Sequence, residues 1–347
     1  MVAVTAAHCL PVTEDVAWLA VEDRTAPGRA RRVATGLAER LGFAENRVAE
    51  IGIVVTELAT NLDRHARHGT LLIRSVRATT DAAVEVVAAD RGPGIADLAA
   101  AIEDGRSTTG TLGVGLGAVH RLSDSVTAFS QPGGGTIITA RFQPAGPTPA
   151  ELTADDAAGI TRPITGEEVC GDAYAVMRAP GHLRLMMCDG SGHGPLAASA
   201  SREAVRVFCA RPAEEPPEQV LAAIHTALRS GRGGAVAVAD LDLAEGRVRF
   251  AGLGNIAATI VAGDRKQGMI SVPGIAGFQA RTIRAFDHVL PAGAAVVLHS
   301  DGLTEKWHPG QWTALFASTP LVIAAALLRD AGIRNDDAGV LVGKPRP

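Results

Sequence analysis

The chain has 347 residues, enough for two packed domains, and 47% of them are hydrophobic while only 3% are aromatic, so the cores must be built from Ala, Val, Leu and Ile. A formal charge of −4, with no basic cluster interleaved with aromatic residues, argues against a nucleic-acid partner. The N-terminus has no basic segment leading into an apolar core, and the apolar stretch from Trp312 to Leu328 is interrupted by Ser318, Thr319 and Pro320, well short of the ~20 residues of a membrane span; neither secretion nor a membrane partner is expected.

In chain order, Val16 to Val21 reads as a strand, and Pro27 to Leu41 places Ala30, Val33, Leu37 and Leu41 along one helix face. Arg29, Arg31, Arg32 and Arg40 line the other face, as ordinary solvated charge or as a docking surface. A second helix spans about Glu45 to Ala66. Within it Glu57 and Asn61 are four residues apart and share a face, either as part of a surface stripe with Arg64 and Arg67 or as the polar side of a pocket.

Downstream, the strand Val84 to Ala89 enters the turn Asp90-Arg-Gly92-Pro-Gly94, and a glycine run follows at Gly113, Gly115 and Gly117. Glycines allow close backbone approach, and a helix beginning near Gly115 would point free N–H groups at a phosphate. The run lacks the Gly-Lys-Ser/Thr of a P-loop and does not directly follow a strand as a dinucleotide fingerprint would. Gly133-Gly-Gly-Thr136 then precedes a strand from Ile137 to Phe142.

The order Glu-x-x-x-Asn, Asp-x-Gly-x-Gly, Gly-x-Gly-x-Gly, Gly-Gly-Gly-Thr resembles the Bergerat (GHKL) ATP-binding fold, and the Thr-Glu-Leu-Ala-Thr-Asn helix resembles the anti-sigma-factor serine kinases of the RsbT/RsbW type. The resemblance implies that ATP binds here with Mg2+ on Asn61. Asp90 would bond the adenine amino group, Gly92 and Gly94 shape the adenine floor, Gly113, Gly115 and Gly117 cradle phosphates, and Thr136 supports the adenine side. Glu57 would be the catalytic base. His65 reads as structural, since no dimerising phosphoacceptor helix pair precedes the ATP domain.

From Gln143 to Ala150 the chain is punctuated by prolines without apolar periodicity, so 12–143 is expected as one domain, 144–158 as a semi-rigid linker and 159–347 as a second domain. In the second, Leu196 to Ala210, Glu218 to Arg229 and a segment beginning near Pro320 read as helices. Ala235 to Leu241, Arg247 to Ala251 and Ile256 to Val261 read as strands, which fits an α/β/β/α sandwich and an α+β class for the whole chain.

The apolar run Leu183 to Cys188 ends on Asp189-Gly-Ser-Gly-His-Gly194, so Asp189 stands where a buried strand opens into a polar turn. Asp301 follows Ala294 to Ser300, Asp336 precedes Ala338 to Val342, and Asp172 lies in Cys170-Gly-Asp. Singly, each would be a turn residue. Together they suit a hard cation held by oxygen, Mg2+ or Mn2+.

Gly-Asp, Asp-Gly-Ser-Gly-His-Gly, Ser-Asp-Gly-Leu and Asp-Asp-x-x-Val-Leu-Val, in that order, resemble the SpoIIE/RsbX branch of the metal-dependent PPM serine/threonine phosphatases. That resemblance implies two metal ions bridged by Asp189, with the Gly190 carbonyl on one and Asp301 and Asp336 completing the other. Asp172 would support metal-bound water, and His193 is a turn residue beside the site. The chain departs from the pattern at Ala173, Tyr174, Ala175 and Val176, where many relatives carry another acid. Cys188 has no Cys-x5-Arg loop, which argues against a cysteine phosphatase. Cys9, Cys170, Cys188 and Cys209 contain no close sequence pair, and Cys170 and Cys188 read as reduced buried thiols, consistent with a cytoplasmic location.

Together the two resemblances imply a bifunctional signalling regulator, a kinase fused to a phosphatase, acting on STAS-domain antagonist proteins in a partner switch or a stressosome-like assembly. The alternative is a phosphatase governed by an ATP-binding or sigma-factor-sequestering module that does not itself turn over.

Overall fold

The computed structural model describes residues 9, 12–102, 115–144, 152, 155–280, 282–333 and 335–345. They divide into two compact units, one formed by Pro11–Ala154 with Trp312–Ser318, the other by Asp155–Gln311 and Thr319–Pro347 together with Cys9.

The first unit is one antiparallel sheet under helices. Its strands are β1 (Val12–Val21), β2 (Gly69–Arg77), β3 (Ala82–Ala89), β4 (Ser125–Gln131) and β5 (Gly135–Phe142), in the spatial order β1-β2-β3-β5-β4. The helices are α1 (Ala26–Arg40), α2 (Glu45–His65), the short α3 (Leu98–Ile102) and α4 (Gly115–Leu122). Helix α2 follows from its sequence: Ile51, Val54, Val55, Leu58, Ala59 and Leu62 recur at the helical period and are all buried, with Glu45 in the first turn and Arg64 and His65 in the last to suit the helix dipole. These side chains meet Leu71, Ile73, Val84, Val86 and Phe142 from the sheet.

The opposite face of that sheet is partly polar. Glu85 of β3 is buried between Arg74 (2.8 Å) and Arg141 (2.6 Å), and Asp15 reaches Arg74 at 3.5 Å. Burial alone would raise the Glu85 carboxyl, but the two guanidinium groups hold it below its ordinary value. Arg141 also donates to the carbonyl of Leu152, whose side chain is buried against Val76 and Ala83. This residue of the expected linker 144–158 is therefore packed against the sheet.

The second unit has two antiparallel five-stranded sheets. Strands β7 (Asp172–Ala179), β8 (His182–Gly190), β9 (Gly234–Asp242), β10 (Arg247–Leu253) and β13 (Phe286–Val289) make one, in the order β13-β10-β9-β8-β7. The other is β12-β11-β14-β15-β6, from β6 (Ala157–Arg162), β11 (Ala257–Ala262), β12 (Arg265–Met269), β14 (Ala295–His299) and β15 (Ala338–Gly343). Between them, Leu183, Leu185, Ala237 and Ala239 pack against Ile260, Val296, Leu298 and Leu341. Helices α5 (Gly194–Cys209) and α6 (Pro217–Ala227) cover the first sheet through Ala204, Phe208, Val220 and Ile224, and α7 (Pro320–Ala331), almost wholly buried, lies against β6 and β15. This is the expected α/β/β/α sandwich.

One expectation needs correcting. Cys9 and Cys209 are joined as a disulfide with Cα atoms 5.5 Å apart, a pairing that 200 residues of separation hide from any reading of local spacing. Cys170 and Cys188 are free, as expected. No helix among the described residues is long and apolar enough to cross a membrane.

The buried Glu85 makes a direct prediction. Glu85→Ala leaves two guanidinium groups facing the gap, and breaking a buried pair from one side costs about 3–5 kcal/mol, so the first unit should melt well below its wild-type midpoint in a calorimetric scan. Because the folded carboxyl titrates below its ordinary value, the wild-type contribution is present at neutral pH and declines as the pH falls through the folded pKa.

Candidate functional site

Two polar constellations stand out, one in each unit. In the first unit, Glu57 and Asn61 share a face of α2, both only partly exposed, beside the buried Leu58 and Leu62. The next turn of the helix meets the Asp90 loop: a Cβ on Gly92 would lie 3.0 Å from the His65 carbonyl and 2.7 Å from the Asp90 carboxylate. Asp90 itself accepts from Gly92 N at 2.5 Å, and its own N–H donates to the Thr136 carbonyl at 3.0 Å. Gly94 has φ +74°, and any side chain there would strike the Gln131 carbonyl.

Thr136 is buried, its hydroxyl 2.9 Å from that of Ser130, which accepts from Ile95 N at 2.6 Å. Ser130 is a member of this constellation that the motif reading missed, because it sits on β4, outside every glycine signature. The fold thus brings Asp90, Gly92, Gly94 and Thr136 to one end of the sheet beside the end of α2. Gly115 and Gly117 begin α4, whose Val119 is buried in the core shared with α2; Gly113 lies outside the described residues.

In the second unit the acids come from strand ends on both sheets. Asp172 and Asp189 are direct partners across the β7–β8 ladder. Asp172 is buried, and its Oδ2 accepts from the Ser300 hydroxyl at 2.6 Å while that hydroxyl accepts from Gly339 N at 2.9 Å, so one serine between β14 and β15 fixes a carboxylate on the facing sheet. The other carboxylate oxygen, Oδ1, is buried with no partner. Asp301 accepts from Asn255 Nδ2 at 2.6 Å and shares a hydrogen bond with Asp189. Asn255 is a second residue that the motifs did not reveal.

The adjacent acids Asp336 and Asp337 divide their work. Asp337 is buried and accepts from Ile164 N (2.7 Å) and Gly171 N (2.8 Å), a backbone-clamping role. Asp336 is less buried, accepts from Asp337 N at 2.9 Å, and contributes its charge to Asp189. At Gly190 a side chain would collide with the Ala197 carbonyl, so the turn after Asp189 packs tightly on the first turns of α5. His193 is exposed and pairs with Glu167 at 3.0 Å, as expected for a turn residue.

Crowding of like charge dominates the electrostatics. Burial, then the neighbouring Asp189, push the Asp172 carboxyl well above its ordinary value. Asp189 is pushed up to about 7 by burial and then by Asp301, Asp336 and Asp337; Asp301 is raised by burial and then by Asp336. Cys188 is raised by burial and by Asp189, which removes thiolate chemistry at neutral pH.

Among the described residues no three His, Cys, Asp or Glu side chains already enclose a single point. The donor set nevertheless fits a divalent cation. It is all oxygen, one carboxylate oxygen is buried without a partner, and the repulsion that raises these carboxyls is what a divalent charge would relieve.

Comparison with known proteins matches two separate stretches of the chain. Residues 20–142 match the histidine kinase-like ATPase domain, and residues 179–343 match the family of stage II sporulation protein E (SpoIIE). The serine/threonine-protein kinase RsbT of Bacillus subtilis (strain 168) is 39% identical over 111 residues, 32% of this chain and 84% of that protein. A solved structure described as the bacterial stressosome, a modular system adapted to control secondary messenger signalling, aligns with a TM-score of 0.51 at 28% identity, covering 55% of this chain and 98% of that one.

Ser300 links Asp172 to Gly339 across the two sheets, which allows a stability test. Ser300→Ala leaves Asp172 Oδ2 and Gly339 N buried without this hydroxyl, at a cost of about 1–3 kcal/mol for each unsatisfied group. Denaturant unfolding of the second unit should shift to a lower midpoint by that order, while unfolding of the first unit stays where it is.

Proposed function

We propose, for a chain that belongs to the RsbT-type branch of the histidine kinase-like ATPases and continues into a SpoIIE-type phosphatase domain, that it installs and removes phosphate on serine or threonine of a partner protein. The observation that carries the phosphatase half is the gathering of Asp172, Asp189, Asp301 and Asp336 from both sheets, with the Asp172 Oδ1 buried and unpartnered.

On this reading Asp189, the Gly190 carbonyl, Asp301 and Asp336 would hold two Mn2+ or Mg2+ ions, with Asp172 positioned to accept a hydrogen bond from bound water. Such ions, when bound, lower the pKa of a water and stabilise charge on the phosphoryl oxygens. The chain itself keeps Asp172 oriented through Ser300, keeps Asp301 oriented through Asn255, and supplies no nucleophile of its own, since the Cys188 thiol is buried.

For the kinase half, ATP would bind with its adenine against Asp90, Gly92, Gly94 and Thr136. Mg2+ would be held with Asn61, and the phosphates would lie at the glycines that lead into α4, Gly113, Gly115 and Gly117. Glu57, one helical turn from Asn61, would orient the acceptor hydroxyl and take its proton. The likeness to RsbT and to a stressosome structure supports a STAS-domain antagonist, alone or in a stressosome-like assembly, as the protein substrate.

Asp189→Asn should abolish hydrolysis of a phosphoserine substrate while the folded spectrum and ATP binding are retained; near wild-type turnover with Mn2+ would remove the two-metal reading. Glu57→Gln should keep ATP affinity within a few-fold and lose partner phosphorylation by ~100-fold or more. Protein with an intact first unit that binds ATP yet transfers nothing to the partner, even when Asp189→Asn removes hydrolysis, would demote the first unit to a binding module.

A pH test is independent of turnover. The metal-free Asp189 carboxyl titrates at about 7, and a ligand must lose its proton to bind an ion. Mn2+ affinity measured by calorimetry should therefore rise as pH increases from 5.5 towards 8, with proton release on binding below pH 7. A flat affinity would exclude Asp189 as a ligand.

A further inference from the structure

The short loop Ser230-Gly-Arg232-Gly233 leads into β9 and lies against the turn that follows Asp189. The β8–β9 ladder pairs Asp189 with Ala235 and Gly190 with Gly234, and beyond its end Ser191 N donates to the Gly233 carbonyl at 3.0 Å. From its other side the loop is held by Gly234 and Ala276, which exchange backbone hydrogen bonds of 3.1 and 2.8 Å, and by the Phe278 ring packed at Gly233. The backbone under Arg232 is thus fixed to the acid-bearing turn by hydrogen bonds on two sides.

The Arg232 side chain turns toward that same turn. Its Nη1 stands 3.1 Å from the point that a Cβ on Gly192 would occupy, and Gly192 has φ +90°, so a glycine there both permits the backbone and leaves room for the guanidinium. Elsewhere in the unit Arg178, Arg184, Arg211 and Arg249 each hold a carboxylate at 2.5–2.7 Å. Arg232 is exposed and makes no ion pair among the described residues. The nearby acid Glu167 is engaged by His193 instead.

Charge balance gives this cation a task. With Asp337 counted, five carboxylates and two divalent ions sum to about −1, so a phosphoryl monoester carrying ~2 negative charges gains little net attraction from the metal centre alone. A guanidinium presents a planar fork matched to two phosphoryl oxygens, and such charge-assisted pairs are roughly twice as strong as neutral hydrogen bonds. We propose that Arg232 binds the non-reacting phosphoryl oxygens of the substrate beside the Asp189 centre. This rests on the phosphatase reading above and adds to it a residue that contacts substrate and no metal.

The test uses the full chain loaded with Mn2+, with inorganic phosphate as the probe. Arg232→Ala should weaken phosphate binding, read by calorimetry and as product inhibition, by roughly 10- to 100-fold, the scale of a lost hydrogen bond to a charged group. The KM for p-nitrophenyl phosphate should rise, Arg232→Lys should recover part of the loss, and Mn2+ and ATP affinities should stay unchanged. Unaltered phosphate affinity in Arg232→Ala with Mn2+ binding intact would overturn the assignment of Arg232 alone. Wild-type protein that takes up Mn2+ but neither binds phosphate nor hydrolyses the ester would overturn both this assignment and the phosphatase reading.

Discussion

The second unit depends on holding like charges together where water is scarce. Asp172 and Asp189 face each other across one ladder, one of them almost fully buried, with Asp301 and Asp336 arriving from the other sheet. Ionised carboxylates in such a setting repel, and the upward shift of their titration is the measure of that cost. The sandwich can bear it because two stacked apolar sheets and three covering helices fix the backbone on which the acids stand. The precise positions are then set by neutral donors, Ser300 on Asp172 and Asn255 on Asp301, which orient the carboxylates without cancelling their charge. The proposed cation site leaves that charge uncompensated.

The first unit solves the opposite problem. Its buried acid, Glu85, is fully countered by Arg74 and Arg141, and it lies in the sheet away from the Asp90 loop. The proposed nucleotide end is shaped by backbone proximity more than by charge. Gly92 and Gly94 let the loop lie against the end of α2 and the β4–β5 hairpin, where Cβ atoms would collide with carbonyl oxygens. Such a surface suits a flat, mostly neutral base, held by one carboxylate and a hydroxyl relay through Thr136 and Ser130.

Much of this could be read from the chain directly, because periodicity and glycine punctuation are local. Helix α2 ends within a residue of its expected limit, α7 begins at the expected Pro320, and Asp189 stands at the end of a buried strand as its apolar run implied. The sandwich class followed from helices set among many strands, together with motifs in family order. The four acids were each recognisable because each adjoins an apolar run, and a metal-site chemistry could be inferred from residue type alone.

Other features exist only in three dimensions. That Asp172 pairs with Asp189 and not another strand residue is a matter of register, and register is decided by which faces of the sheets become buried. Asp336 and Asp337 are chemically identical in sequence and both raise Asp189, yet Asp337 clamps two distant backbone amides while Asp336 accepts from its neighbour Asp337 N, because successive residues beside a strand point to opposite sides. Ser130, Asn255 and Arg232 belong to no motif and acquire meaning from neighbours 6, 46 and 40 residues away, and the Cys9–Cys209 bond spans 200. Residue type and local period determined which elements form and what chemistry the acids can do; only the packing of distant segments, driven by apolar burial and by satisfaction of buried polar groups, decided which side chains meet.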